Sequence, residues 1–179
     1  FSAPPVPNPV IIYPIFINYT TKQTLKMHKN SQNMAILVTG VAGFIGFHTA
    51  KKLVEMGEKV VGVDNLSEYY DVKLKLDRLS ELGDSIDFIK GDISDYKFME
   101  QIFDNHKITS IVHLAAQAGV RYSLENPFEY EKTNNLGTMN LFELAKINNI
   151  KNVVYASSSS VYGGNTHFPF SVKDRVDNP

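Results

Sequence analysis

The chain has 179 residues, of which 43% are hydrophobic and 21% charged, enough to bury a core of ordinary size. Its formal net charge of −1, without a block of Lys or Arg, argues against a nucleic-acid partner. The chain contains no Cys, which excludes disulfides, thiolate catalysis and cysteine metal sites. Its five His are too scattered to have the spacing of metal ligands. We therefore predict a metal-free, cytoplasmic protein.

Residues 1–33 differ from the rest in being rich in Pro, Asn, Thr and Lys. One apolar run at 10–17, broken by Pro14, is too short to span a bilayer, so no membrane association is predicted. No basic segment precedes it and no cleavage site follows it, which argues against a signal peptide. Since Met34 stands before the first predicted strand, we expect an irregular, non-native extension over 1–33. A natural disordered extension is the alternative.

From residue 35 onward, short apolar runs alternate with helical patterns. Strands are predicted at 35–39, 59–63, 86–90, 110–114 and 152–156. Helices are predicted at 43–56, 71–82, 94–105 and 127–148, with Ser94 as the N-cap of the third and Pro127 in the first turn of the fourth. Continuously apolar strands with helical connections indicate a parallel α/β sheet with right-handed crossovers. The prediction is a Rossmann-type doubly wound sheet of strand order 3-2-1-4-5, with a ligand at the carboxyl ends of its strands.

Three glycines at three-residue spacing join the first strand to the first helix. Gly40 allows a sharp turn, Gly43 allows the backbone to approach phosphates, and Gly46 allows the helix to pack close to the sheet. The N–H groups of the first helical turn, at Phe44 and Ile45, then face the phosphates. This pattern alone is weak evidence for a dinucleotide site, and the context decides.

Acidic residues follow the second and third predicted strands. Asp64, with Asn65 beside it, stands where a carboxylate accepts hydrogen bonds from both adenosine ribose hydroxyls. Because no Lys or Arg occurs at 65–67 to offset repulsion of a 2′-phosphate, the sequence favours NAD over NADP. A solvated Asp in a turn is the alternative. Asp92 is predicted to hydrogen-bond the adenine amine, or to cap a helix, and Ile93 to pack on the adenine ring.

The residues after the fourth strand have the character of a ligand site. Small alanines allow a flat ligand to approach closely, and Arg121 meets an anionic substrate or forms a surface ion pair. His113, inside an apolar strand, is interpreted as a hydrogen-bonded core residue rather than a catalytic one. The cofactor-binding residues predicted in this segment are Leu114, Ala115, Ala116 and Gln117.

The fifth strand leads into a run of serines. At this end of the sheet Ser158, Ser159 and Ser160 can hold a sugar hydroxyl or carboxylate, although serines also form turns. No His neighbours them and the strand-turn-helix setting of a hydrolase nucleophile is missing, so serine-hydrolase chemistry is rejected.

Together these features resemble the extended short-chain dehydrogenase/reductase superfamily, and within it the NAD-dependent epimerase/dehydratase family. The resemblance runs from residue 34 to 179 and is closest to nucleotide-sugar epimerases of the UDP-glucuronate 4-epimerase type. Its most specific segments are 68–73, 113–127 and 157–164.

The resemblance implies bound NAD, a UDP-hexuronate substrate and a homodimer for the full-length protein. It implies interconversion of UDP-glucuronate and UDP-galacturonate by transient oxidation at C4, through a 4-keto intermediate that receives hydride on its opposite face. By likeness Ser158 is the catalytic residue that hydrogen-bonds the reacting hydroxyl, and Asn134 is the family asparagine near the cofactor. Ser159 and Ser160 stand where related 4,6-dehydratases have Asp-Glu, which favours epimerisation over dehydration.

The family's catalytic Tyr-x-x-x-Lys pair and its substrate domain are expected beyond Pro179, so the chain alone is expected to be inactive. Tyr69 and Lys73 have the same spacing but follow the second strand, and we interpret them as a chance match. The fifth strand is expected to form an exposed edge, which predicts marginal stability. The alternatives are a 4-epimerase of an uncharged UDP-hexose, another nucleotide-sugar modifier on this scaffold, and a non-catalytic NAD-binding regulatory or scaffold protein.

Overall fold

A parallel sheet of five strands organises residues 34–177, which are the residues that the computed structural model describes. The strands are β1 (Met34–Thr39), β2 (Val60–Asp64), β3 (Asp87–Lys90), β4 (Lys107–His113) and β5 (Asn152–Tyr155). Their order is β3-β2-β1-β4-β5, and every neighbouring pair is parallel. The predicted fold class and strand order are therefore confirmed. The expected extension over 1–33 lies outside the described residues.

Helices connect the strands and cover both faces of the sheet. They are α1 (Phe44–Glu55), α2 (Val72–Leu82), α3 (Tyr96–Asn105), α4 (Val120–Glu125), α5 (Pro127–Tyr130) and α6 (Thr138–Ile147), with a π-helical segment (Glu131–Gly137) between α5 and α6. Short 3₁₀ turns occur at Gly83–Ser85 and Ser159–Tyr162. The predicted long helix over 127–148 is present but contains this π-helical segment, and α4 was not predicted. Within 34–177 we find no helix both long and apolar enough to cross a membrane.

The predicted N-cap of α3 is wrong by one residue. Asp95, not Ser94, caps this helix, because its carboxylate accepts a hydrogen bond from the Phe98 N–H at 3.1 Å. Ser94 instead donates both its N–H and its hydroxyl to Asp92 Oδ1, at 2.9 and 2.8 Å. The serine is thus part of a tight turn that precedes the cap, and α3 begins at Tyr96 rather than at 94.

The start of β4 also differs from its prediction. The strand begins at Lys107 rather than at Ser110, since Lys107 and Ile108 pair with Met34 and Ala35 of β1. A register shift at Ala35/Ile36 then resumes the pairing at Ser110. Backbone pairing does not need apolar side chains, so a prediction based on the apolar run misses the polar first residues of this strand.

Alternation along β1 divides the core between the two faces of the sheet. Ile36 and Val38 pack with α1 on one face, whereas Ala35 and Leu37 pack against α3 and α6 on the other. Leu37 and Val38 are fully buried, as expected for a central strand covered on both sides. These two layers of apolar contacts fix the sheet whose carboxyl edge carries the candidate site.

The side of the sheet that ends at β5 is poorly covered. β5 is an edge strand, and the side chains of Val154 and Tyr155 are exposed, as predicted for this strand. Large apolar side chains are also exposed along the neighbouring helices. They are Leu124, Phe128, Leu136, Met139 and Phe142, which we call the helical apolar face.

Candidate functional site

A groove crosses the carboxyl ends of β1, β2 and β4, where the strand order reverses. Of the residues predicted to bind a cofactor, those that line it are Gly40, Gly43, Asp64, Asn65, Ile93, Leu114, Ala115, Ala116 and Gln117. Such a crevice is where doubly wound sheets bind ligands. The fold therefore gathers residues that are up to 77 positions apart in the chain, from Gly40 to Gln117, at one edge of the sheet.

The glycine turn is tightly packed against neighbouring backbone. Gly40 has a φ of +71°, and a Cβ added to it would lie 2.7 Å from the Ala115 nitrogen. A Cβ on Gly46 would lie 2.0 Å from the Gly40 carbonyl oxygen. Real Cβ atoms are not found at such distances, so both positions require glycine for the turn and for the close approach of α1.

The N-terminus of α1 faces the groove without a protein cap. Its N-cap residue is Gly43, and no side chain caps the first turn. The side chains of Phe44 and Ile45 are exposed. Their backbone N–H groups lie in the first turn of the helix, where no earlier helical carbonyl group is available to accept from them. Free N–H groups at the positive end of a helix favour an anion, so this turn fits a phosphate group of a ligand.

Asp64 ends β2 and is 7% exposed, so it is not the solvated turn residue of the alternative interpretation. Its carboxylate accepts hydrogen bonds from the Ala42 N–H at 3.1 Å and the Leu66 N–H at 2.8 Å. These contacts orient the carboxylate toward the groove and leave acceptor positions for a ligand hydroxyl. Asn65 is exposed beside it and accepts from the Ser67 N–H.

The residues after β3 have more contacts within the protein than the sequence predicts. Both Asp92 oxygens have protein partners, because Oδ1 accepts from Ser94 and Oδ2 from Lys132 Nζ at 2.9 Å. Burial raises the pKa of Asp92, but hydrogen bonds from Lys132 and Ser94 outweigh burial and hold it below its usual value. Its role toward adenine stays a prediction. Ile93 lines the groove and packs closely against Gly137 of the π-helical segment.

A buried chain of hydrogen bonds supports the segment after β4. His113 bonds through Nδ1 to Thr39 Oγ1 at 2.7 Å and through Nε2 to Thr138 Oγ1 at 2.9 Å. Thr39 Oγ1 in turn accepts from the N–H groups of Leu114 and Ala115, each at 3.2 Å. His113 is therefore a hydrogen-bonded core residue, as predicted, and it ties the ends of β1 and β4 to α6.

These contacts determine the tautomer of His113. The Thr39 hydroxyl already faces two N–H donors, and its own proton finds its acceptor at His113 Nδ1. The proton of the neutral ring is then on Nε2 and is donated to Thr138. Burial lowers the pKa of His113 from 6.5 to about 4, which keeps the ring neutral at neutral pH.

Asn134 lies in the π-helical segment and clamps the same loop. Its side chain accepts from the Gln117 N–H at 2.8 Å and donates to the Gln117 carbonyl at 3.0 Å. Widened helical turns of this kind occur often at functional sites. Asn134 therefore positions the loop, and the direct cofactor contact expected from the resemblance stays a prediction.

Tyrosines pack around the end of this loop. The Tyr130 hydroxyl is 2.7 Å from the carbonyl oxygen of Ala118, and the Tyr69 and Tyr122 rings are 4.9 Å apart. Tyr69 lines the groove, whereas Lys73 is exposed on α2 and pairs with Asp77 at 2.8 Å. These different surroundings agree with the interpretation of Tyr69 and Lys73 as a chance match.

The predicted substrate residues lie in exposed positions. Arg121 is on α4, a helix that sequence reasoning missed, and makes no ion pair within the described part of the chain. Ser158 caps the 3₁₀ turn after β5 by accepting from the Ser160 N–H at 3.2 Å, and Ser159 follows it there. The catalytic and substrate-binding roles of these residues stay predictions.

Sequence reasoning missed Lys75, which lines the groove beside Asp64 and Ser67. Lys75, Leu79 and Leu82 follow one another at i, i+4 and i+7, the spacing of a buried helix face. This spacing could have revealed a lysine at a core-facing position.

A family model described as GDP-mannose 4,6 dehydratase matches residues 37–178. The chain belongs to this NAD-dependent epimerase/dehydratase family. The match covers the sheet, the glycine turn and the segment after β4, and it confirms the resemblance predicted from the sequence motifs.

Family members with more specific names are similar to this chain. It is 46% identical to UDP-glucuronate 4-epimerase 2 of Arabidopsis thaliana over 153 residues, 84% of this chain and 35% of that protein. The UDP-glucose 4-epimerase of Thermotoga maritima with UDP-glucose shares 38% identity and a TM-score of 0.65, over 75% of this chain and 41% of that one.

The UDP-glucose 4-epimerase of Brucella ovis in complex with NAD is also similar, with 32% identity and a TM-score of 0.69 over 82% of this chain and 42% of that one. The chain thus spans less than half the length of each of these relatives.

Proposed function

We propose that this chain forms the NAD-binding part of a nucleotide-sugar 4-epimerase. The observation that carries the proposal is the glycine turn, where a Cβ on Gly46 would lie 2.0 Å from the Gly40 oxygen and the first turn of α1 has no side-chain cap. Such a turn has no side chain that would keep a ligand away from its backbone, and its free N–H groups suit a pyrophosphate. Similarity to an epimerase in complex with NAD supports the same assignment.

The residues on the two sides of the groove fit parts of NAD. Asp64 would accept from the adenosine ribose hydroxyls, while Leu114, Ala115 and Ala116 would contact the remainder of the dinucleotide from the opposite side of the groove. NAD, when bound, supplies reversible hydride transfer. The protein's own contribution is a neutral, buried His113 that fixes the loop carrying these alanines.

A UDP-hexuronate is the proposed substrate class. Arg121 offers an exposed cation for a sugar carboxylate, and Ser159 and Ser160 supply hydroxyls but no acid-base carboxylate for eliminating water. Relatives named UDP-glucuronate 4-epimerase support this choice. The solved UDP-glucose 4-epimerases favour an uncharged hexose as the alternative, and a non-catalytic NAD-binding protein is the alternative of another class. Turnover assays of the full-length protein with UDP-glucuronate and UDP-glucose distinguish the three.

Asp64→Ala tests the cofactor assignment. We expect the wild-type chain to bind NADH in preference to NADPH, and the variant to bind NADH about 10- to 100-fold more weakly, because hydrogen bonds from ribose hydroxyls to a carboxylate are lost. Isothermal titration calorimetry measures both ligands. Since Asp64 also accepts from two backbone N–H groups, titrations are run well below the variant's Tm.

Asp104→Ala, which removes an exposed aspartate on α3, is the control and should bind NADH as the wild type does. Absence of NADH binding by the wild type would contradict the proposed function. Equal NADH affinity of Asp64→Ala and wild type would contradict the role of Asp64.

We further propose that the helical apolar face is a homodimer contact in the full-length protein. Phe128 is 85% exposed and Leu124 and Met139 are also largely exposed, and large apolar patches in water mark contact surfaces. We expect Phe128→Glu to raise the dimer dissociation constant at least about tenfold, since burying a charge at an apolar contact is costly. Sedimentation equilibrium measures it. Val172→Glu, at another exposed apolar residue, is the control, and an unchanged constant for Phe128→Glu would refute the proposal.

A further inference from the structure

Lys75 is a lysine in an unusual place. It lies in the first turns of α2 and is only 5% exposed, although lysine is among the residues least often buried. Its Nζ donates to the Ser67 carbonyl oxygen at 2.8 Å and lies 4.7 Å from the centroid of the Tyr70 ring. These contacts hold the ammonium group in a fixed position at the wall of the groove.

Stability of the fold does not account for this burial. No carboxylate within the described residues lies within 4.0 Å of the Lys75 ammonium, whereas Lys73, on the same helix, pairs with Asp77 in solvent. A cation near a helix N-terminus is also disfavoured by the helix dipole. Burial lowers the pKa of Lys75, while Asp64 raises it and Arg78 lowers it further. A buried cation with few partners costs stability, so its presence at the wall of a groove points to a ligand.

The position of Lys75 identifies which part of a ligand it would meet. Lys75 and Asp64 both line the groove, as do Ser67 and Tyr70, and Asp64 lies near enough to raise the pKa of Lys75 by its charge. An ammonium group has three N–H donors, and the hydrogen bond to Ser67 uses one of them. The others remain for acceptor atoms of a ligand, whereas the carboxylate of Asp64 accepts hydrogen bonds.

We propose that Lys75 is a cofactor-binding residue that donates a hydrogen bond to an oxygen of the adenosine ribose, the same diol from which Asp64 accepts. The inference rests on the proposed NAD site. The carboxylate accepts hydrogen bonds from the hydroxyl groups of the diol, and the ammonium group donates one to a hydroxyl oxygen. Together they pair both the donors and the acceptors of the diol. The helix α2, whose Arg78 donates to the Ala42 carbonyl oxygen of the glycine turn at 3.1 Å, thereby also supplies a direct contact to the cofactor.

The experiment replaces Lys75 by Met, which keeps the volume of the side chain and removes its donors and charge. We expect NADH and ADP-ribose to bind about tenfold more weakly to Lys75→Met, since both contain the adenosine ribose. We expect the Tm without ligand to be unchanged or higher, because an apolar side chain replaces a buried cation. Lys75→Gln, which keeps a neutral donor, should lose less affinity.

Lys73→Met is the matched control, because Lys73 is exposed two residues earlier on the same helix. Weaker binding to both Lys75 variants with unchanged binding to Lys73→Met supports the proposal. The inference is overturned if both Lys75 variants bind NADH as tightly as the wild type and Lys73→Met do. Lys75 would then have only a structural role, and the NAD site would stand. If the wild type itself does not bind NADH, the proposed function fails first.

Discussion

Gly46→Ala is expected to abolish NADH binding and to destabilise the fold by about 3 kcal/mol or more, because the added methyl group has no space. The new Cβ would lie 2.0 Å from the Gly40 oxygen, 2.7 Å from the Gly40 carbonyl carbon and 2.9 Å from Val41 Cα. All three atoms are backbone, so no side-chain rotation relieves the clash. The first turn of α1 must move away from the turn after β1.

That movement affects two properties at once. Phe47 and Ala50 on α1 are buried in the core, so displacement of the helix opens contacts there and lowers the Tm. The same displacement moves the free N–H groups of the first turn away from the phosphate position. Thermal unfolding and NADH titration of one variant therefore report on packing and on the cradle.

Gly164→Ala is the matched control, because a Cβ at Gly164 meets no atom within 4 Å. This variant should keep the Tm and the NADH affinity of the wild type. A Gly46→Ala protein with unchanged Tm and affinity would show that α1 is not held against the glycine turn as the structure has it.

The parts of the fold that could be predicted are those encoded by local apolar runs. The strand β2, from Val60 to Asp64, is buried at every residue, as is typical of a parallel strand covered on both faces. Helical connections between such apolar runs imply right-handed crossovers, and the parallel sheet and its strand order follow from these. Gly40, Gly46 and Asp64 were predictable for a related reason. Gly40 directly follows β1, Asp64 ends β2, and Gly46 stands at the spacing that the glycine pattern requires after Gly40.

Features that depend on distant partners were not predictable. The polar start of β4 is determined by its pairing with Met34 and Ala35 of β1. The carboxylate of Asp92 accepts a hydrogen bond from Lys132, which is 40 positions further along the chain. The π-helical segment exists where Asn134 reaches across to the Gln117 backbone. Local pattern contains none of these pairings.

His113 should make the fold sensitive to acid. The pKa of His113 is about 4 in the folded chain and 6.5 as the ordinary value, because burial disfavours the charged ring. Between these values the unfolded chain binds a proton that the folded chain does not. The stability contribution is therefore complete above pH 6.5 and is lost as the pH falls toward 4, by about 3 kcal/mol in all.

Protonation of His113 in the folded chain, which begins as the pH approaches 4, has a structural consequence. A protonated ring carries a proton on Nδ1, which then faces the proton of the Thr39 hydroxyl. Relieving that clash turns Thr39 away from the N–H groups of Leu114 and Ala115, which it supports at the groove. We therefore expect the NADH affinity of the folded chain to fall only as the pH approaches 4, at the lower limit of the interval in which stability falls.

His113→Asn isolates the effect, because its side-chain oxygen can still accept from Thr39 but does not titrate. Urea unfolding at pH values from 7 to 4.5 should give a shallower loss of unfolding free energy for this variant than for the wild type, after allowance for a lower stability at pH 7. His167→Asn removes an exposed histidine and should keep the wild-type slope. The same carboxylates titrate in all three proteins, so the comparison isolates the histidine. Parallel curves for wild type and His113→Asn would show that the fold does not hold His113 neutral.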